Sequence, residues 1–202
     1  MKSRHAWLCV LLLLLLALPA QADNSVLLGR IAALEESRQP FGDELRSYLG
    51  HPDDGVRRRA ARAAGRLQDP AAVRWLAELL TDPSGDVRLE AIFALGQIPG
   101  RDSERVLLKA AQREPGPELI LAALKVGGQA TLDRLDNWLE DPDPAIRGEA
   151  ALSAGRYVMR RLRWEPELPE LPPRLTVRLR ELADDPEPEV REAALYALYR
   201  LK

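Results

Sequence analysis

The chain has 202 residues, with 29 Lys and Arg against 31 Asp and Glu and a formal net charge of −2. That balance gives no basic footprint for nucleic acid. One cysteine leaves no partner for a disulfide within the chain.

Lys2, Arg4 and His5 make a basic start, and residues 6–18 are apolar throughout, with leucine at every position from Leu11 to Leu16. Pro19, Ala20, Gln21 and Ala22 follow. A basic start, an apolar core and a small-x-small ending predict a secretory signal, residues 1–22, cut after Ala22. A membrane-spanning helix takes about 20 apolar residues, and this run is shorter. Cys9 follows the bulky Trp7 and Leu8, which does not suit a lipid-modified cysteine, so it is expected to leave with the signal. The remainder from Asp23 carries 27 basic and 31 acidic residues, net −4, with no cysteine and one histidine, His51. No integral membrane segment is expected after cleavage, and the expected location is periplasmic or secreted.

Few aromatic residues and an abundance of Ala, Leu, Arg and Glu favour helices. Residues 24–37 read as a first helix that Gln39-Pro40 breaks. Beyond it one pattern recurs: "HPDDGVRRRAARAAGRL" from His51, "DPSGDVRLEAIFALGQI" from Asp82, "DPDPAIRGEAALSAGRY" from Asp141 and "DPEPEVREAALYALYRL" from Asp185. A degenerate copy, "EPGPELILAALKVGG", starts at Glu114. In each copy proline ends one helix and restrains the residue before it. Acidic residues such as Asp86, Glu118 and Glu189 open the next helix, where its dipole favours them. Val56, Val87, Leu119, Ile146 and Val190 then point inward. Ala60, Ala91, Ala123, Ala150 and Ala194 let neighbouring helices approach. Gly65, Gly96, Gly128 and Gly155 fall near the predicted helix ends, where left-handed caps favour glycine. Amphipathic runs such as "AAVRWLAELL" from Ala71 and "TLDRLDNWL" from Thr131 precede the turns. The unit is therefore helix A, turn, helix B, and such units stack.

The Asp-Pro…Val-Arg…Ala-Ala…Ala-Leu-Gly series resembles the HEAT repeat family, in particular the short HEAT-like repeats of phycobilisome lyases and many bacterial proteins. The resemblance implies an all-α fold, a right-handed α-solenoid of about five HEAT-like helix pairs of armadillo-like kind. Residues 23–40 would be an N-terminal capping helix and linker, and residues 41–202 the repeat domain. In the family the arginine after the inward aliphatic joins a ladder of polar contacts between repeats. Here those positions are Arg57, Arg88, Arg147 and Arg191, and Ile120 interrupts the series in the third copy.

The fourth and fifth copies are separated by an insertion, "WEPELPELPP", residues 164–173. Its four prolines favour extended backbone. It reads either as a recognition loop around Trp164 or as a long connection. His51 stands at the Asp site of its turn and reads as a turn or capping residue. The arginines at positions 57, 58, 59, 62 and 66, and at 156, 160, 161 and 163, read as solvated, with ion pairs inside their helices.

No catalytic, cofactor or metal constellation emerges, so the expectation is a non-catalytic scaffold or adaptor in the bacterial cell envelope. Its partner would be a protein or peptide held in a groove lined by B helices. The alternative is an accessory, lyase-like factor that assists an enzyme complex or binds a ligand. By register Arg62, Phe93, Lys125, Leu152 and Tyr196 are equivalent positions on successive B helices. They either face that groove or fill the core between repeats.

Overall fold

The computed structural model describes residues 24–201; the signal predicted for residues 1–22, with Cys9, lies outside the described residues. Every regular element among them is helical. Residues 24–36 form α1. Five A–B pairs follow: α2 (Asp43–Leu49) with α3 (Asp54–Leu67), α4 (Val73–Glu78) with α5 (Gly85–Gln97), and α6 (Arg101–Arg113) with α7 (Pro117–Val126). In the fourth pair the A helix is split into α8 (Gln129–Leu132) and α9 (Leu135–Trp138), and α10 (Pro144–Arg163) is the B helix. The fifth is α11 (Pro173–Leu182) with α12 (Pro188–Arg200). Successive B helices pack on one another from α3 through α5, α7 and α10 to α12, which makes the molecule an α-solenoid. Helix α1 stands one repeat-length ahead of α3, with Asn24 donating to the Asp53 carboxylate at 2.9 Å and Ile31 fully buried.

The turn motif explains why each B helix starts where it does. The first side chain of the turn accepts the amide two residues on: Asp82 from Ser84, Asp141 from Asp143 and Asp185 from Glu187. At His51 the imidazole Nδ1 takes the same role toward Asp53 at 3.1 Å. Asp53 and Asp143 then cap their helices by accepting from Val56 and Ala145. Proline at the first turn of α7, α10, α11 and α12 has no amide to leave unpaired.

Val56, Val87, Leu119, Ile146 and Val190, and the five alanines four residues beyond each, are all buried. The glycines work differently from the sequence expectation. Gly65, Gly96 and Gly155 lie inside α3, α5 and α10, and their missing side chains let Ala94, Ala122 and Ala197 of the next B helix come close. Left-handed caps occur at Gln68 and Gly127 instead. Gly128 is the residue before α8, and a side chain there would collide with the Glu104 carboxylate. Glu104 is buried because its Oε1 accepts the Thr131 amide at 2.6 Å, so a carboxylate of α6 caps the split A helix of the following repeat.

The buried apolar side chains form two clusters. One holds Ile31 through the α7 residues Leu119, Ala122, Ala123 and Val126. The other begins at Leu124, on a different side of α7, and continues to Ala197. Trp138 packs against both.

Helix α10 runs on through Arg163 before the proline-rich connection. Leu168 and Leu171 of the connection turn inward onto the second cluster. Tyr157, almost fully buried, donates from its hydroxyl to the Pro169 carbonyl at 3.0 Å, with Gln129 Oε1 a second acceptor at 3.2 Å. Arg161 Nε donates to the Leu168 carbonyl at 2.9 Å. Tyr157→Phe removes both hydrogen bonds of this buried side chain, so it should lower stability in urea unfolding by about 1 kcal/mol and speed proteolysis within residues 164–172. Unchanged proteolysis would mean that the inward leucines alone fix this segment.

Candidate functional site: the arginine ladder and the B-helix face

The four motif arginines share one anchor. Each donates Nη1 to two carbonyls of its own turn: Arg57 to His51 and Pro52, Arg88 to Asp82 and Pro83, Arg147 to Asp141 and Pro142, and Arg191 to Asp185 and Pro186. That leaves the Nε/Nη2 edge of the guanidinium pointing onward. In two cases it meets the turn aspartate of the next repeat in a bidentate pair. Arg57 binds Asp82 at 2.8 Å through both nitrogens, and Arg147 binds Asp185 at 2.9 and 3.0 Å. The guanidinium hydrogen bond holds each of these carboxyls below its ordinary value. Among the described residues no carboxylate pairs with Arg88 or Arg191. The sequence marked a gap only at Ile120, whereas the structure also lacks a carboxylate rung between repeats two and three. There Glu114 replaces the turn aspartate and closes the end of α6.

The residues in register on the B helices separate into two groups. Arg62, Phe93 and Lys125 come together. Arg62 and Phe93 line a groove of about 490 Å³ between α3 and α5, and the Lys125 ammonium lies 5.7 Å above the Phe93 ring. Phe93 is 49% exposed, a large apolar surface at the centre of a charged stripe. Leu152 is half-buried against the second core cluster. Tyr196 packs its ring edge against Gly155 and lies under Arg200, whose guanidinium carbon is 4.9 Å from the ring centre. Trp164 is 69% exposed and sits apart from the stripe at the C-terminus of α10.

The dense arginines of α3 pair across helices, not within their own. Arg59 and Arg66 meet Glu35 of α1, while Arg58 meets Asp86 and Arg62 meets Glu90 of α5. Among the arginines of α10, Arg156 does pair within its own helix, with Glu149. The acidic partners sit about one repeat-length away in sequence, beyond the reach of a search for helical i,i+4 spacing. Leu89, exposed at the groove wall, was also missed by that reasoning. The burial of Glu104 did have a signal, because Ser103, Glu104, Leu107 and Leu108 share one face of α6. Among the described residues no cluster of His, Cys, Asp and Glu is placed to hold a metal ion. No helix among them is long and apolar enough to cross a membrane.

A stack of A–B pairs with Asp-Pro turns and an arginine ladder defines a helical-repeat solenoid. Family models for HEAT repeats match residues 42–126 and 177–201, and the chain belongs to the HEAT repeat family. The matched stretches flank the repeat with the split A helix and the proline-rich connection. Serine/threonine-protein kinase 36 of Pongo abelii is 33% identical over 185 residues, or 85% of this chain. The chain spans 12% of the length of that relative. Among solved structures, a designed armadillo repeat protein, YIII(Dq.V1)4CPAF, in complex with the peptide (KR)4 is 19% identical. It aligns with a TM-score of 0.58 over 92% of this chain and 95% of its own. That likeness is one of fold, and the fold is of a kind that fits a protein-binding scaffold.

Proposed function

We propose that the protein is a non-catalytic adaptor that holds an extended segment of a protein partner across its B helices, and that it works in the bacterial cell envelope. The observation that carries the binding reading is the Arg62–Phe93–Lys125 stripe, where an exposed ring lies between two cations beside an open groove. Aromatic and arginine side chains are the usual anchors of protein interfaces. The designed armadillo protein of similar fold holds a peptide, which supports the same use of the stack here. The basic start, apolar run and Ala20-Gln21-Ala22 ending support export.

A photo-crosslinking amino acid at position 93 of the full chain tests the binding surface. The expected outcome is a discrete adduct in envelope extract that Arg62→Glu abolishes and that does not form from position 78 on α4. Identical adducts from positions 93 and 78 would remove the basis for this surface. The export reading predicts that protein from the envelope fraction begins at Asp23, which its intact mass decides.

A further inference from the structure

The open rung at Arg88 borders a second cleft. We propose that this cleft binds an extended peptide segment with an Asp or Glu beside an aliphatic residue, the carboxylate occupying the guanidinium edge that Arg88 leaves unpaired. Arg57 and Arg147 show what that edge takes when a carboxylate is within reach, namely a bidentate pair. Arg88 is held by the same two-carbonyl anchor, so its edge is preorganised without an internal partner among the described residues. It lines a cleft of about 640 Å³ at the turn edge of the solenoid, between repeats two and three.

The cleft has the chemistry for such an occupant. Ile92, Val106 and Leu119 supply apolar wall, which calls for an aliphatic side chain next to the charge. Lys109 and Arg113 line it from α6, so Arg88, Lys109 and Arg113 stand against Glu114 and Glu118. The excess is positive and matches an acidic residue. The (KR)4 peptide of the designed armadillo protein has the opposite charge, so its ligand does not describe this site. The proposal rests on the peptide-binding reading above but uses a different pocket; the two share Leu89 alone.

The test is fluorescence anisotropy of the full chain with two labelled peptides, acetyl-Ala-Leu-Asp-Leu-Ala-amide and its Asn counterpart. A hydrogen-bonded charge predicts that the Asp peptide binds at least about tenfold tighter. Arg88→Gln should bring it to the Asn level. The exposed Lys109→Ala/Arg113→Ala variant should weaken it severalfold and guards against a folding defect in Arg88→Gln. The Arg88 Nε–H resonance should shift on addition of the Asp peptide, while that of Arg57 stays in place. Equal binding of the two peptides, no binding at millimolar peptide, or indifference to Arg88→Gln would overturn the proposal. Arg62→Glu/Phe93→Ala should leave this binding unchanged. Loss there with retention in Arg88→Gln would move the occupant to the α3–α5 groove, ending this proposal while sparing the earlier one.

Discussion

Asp82→Ala is expected to lower stability by about 3 kcal/mol, because it leaves Arg57 with an uncompensated charge in a confined space. The side chains of Arg57 and Asp82 are 12% and 5% exposed, so water does little to replace the lost partner. The same substitution removes the acceptor of the Ser84 amide at the start of a turn. Asp82→Asn keeps the shape and most of that cap, so the difference between Asn and Ala separates turn from ion pair. Arg57→Ala combined with Asp82→Ala should lose less than the two single variants together, the excess being the coupling between them. The pH dependence has a definite sign. The carboxyl is held below its ordinary value by the Arg57 hydrogen bond, so its contribution is complete above the unfolded-state value near about 4. It fades as pH falls through the lower folded-state value. Urea titrations should therefore give a constant gap between wild type and Asp82→Asn from neutral to mildly acidic pH, closing only in stronger acid. A gap that persists after the Asp82 carboxyl is protonated in both the folded and the unfolded state would point to packing instead.

Gly65→Ala should also destabilise, by about 2 kcal/mol, although alanine is intrinsically about 1 kcal/mol better in a helix. A Cβ at this position would lie 2.7 Å from Ala94 Cα and 2.8 Å from its Cβ. These atoms belong to the backbone and first side-chain carbon of α5, so relief requires α3 and α5 to move apart along a packed interface. Gly148 in α10 is the internal control. A Cβ there meets Val190 at 3.8 Å, an ordinary contact, so Gly148→Ala should gain about 0.5–1 kcal/mol from helix propensity. Thermal unfolding of the two variants decides the matter: equal gains in both would show that the α3–α5 approach is looser than described.

The contrast between these glycines shows what the sequence could reveal. The repeat and its inward aliphatic and alanine positions were legible because each is set by a local period of 3.6 and by Asp-Pro punctuation. The role of Gly65 was not, since glycine near a predicted helix end signals a cap equally well. The distinction lies in Ala94, a residue on another helix. The same holds for the arginines of α3, whose acids Glu35, Asp86 and Glu90 reside in neighbouring repeats. Ile120 announced a missing rung by its side chain. The unpaired edge of Arg88 had no such mark, because its own motif is intact and the altered residue is Glu114, in the turn that follows. For the binding surface, register grouped five positions, but only the fold separates Phe93, left open under Lys125, from Leu152, drawn into the core.

The two buried clusters that adjoin at α7 have a consequence for cooperativity. In a stack where each repeat touches only its neighbours, the free energy of the array is a sum of unit and interface contributions. The interval from repeat two to repeat four has neither carboxylate rung, and the core changes sides there, so its coupling rests on α7 and Trp138 and on hydrogen bonds such as Glu104–Thr131 and Arg156–Leu124. Hydrogen exchange is therefore expected to resolve two foldons that meet at this seam, with α3 and α5 opening to solvent on a different clock from α10 and α12. A ligand confined to one side would raise the protection of that side alone. One that bridges the seam would fuse the two into a single unfolding event, reporting its footprint through the shape of the melting transition.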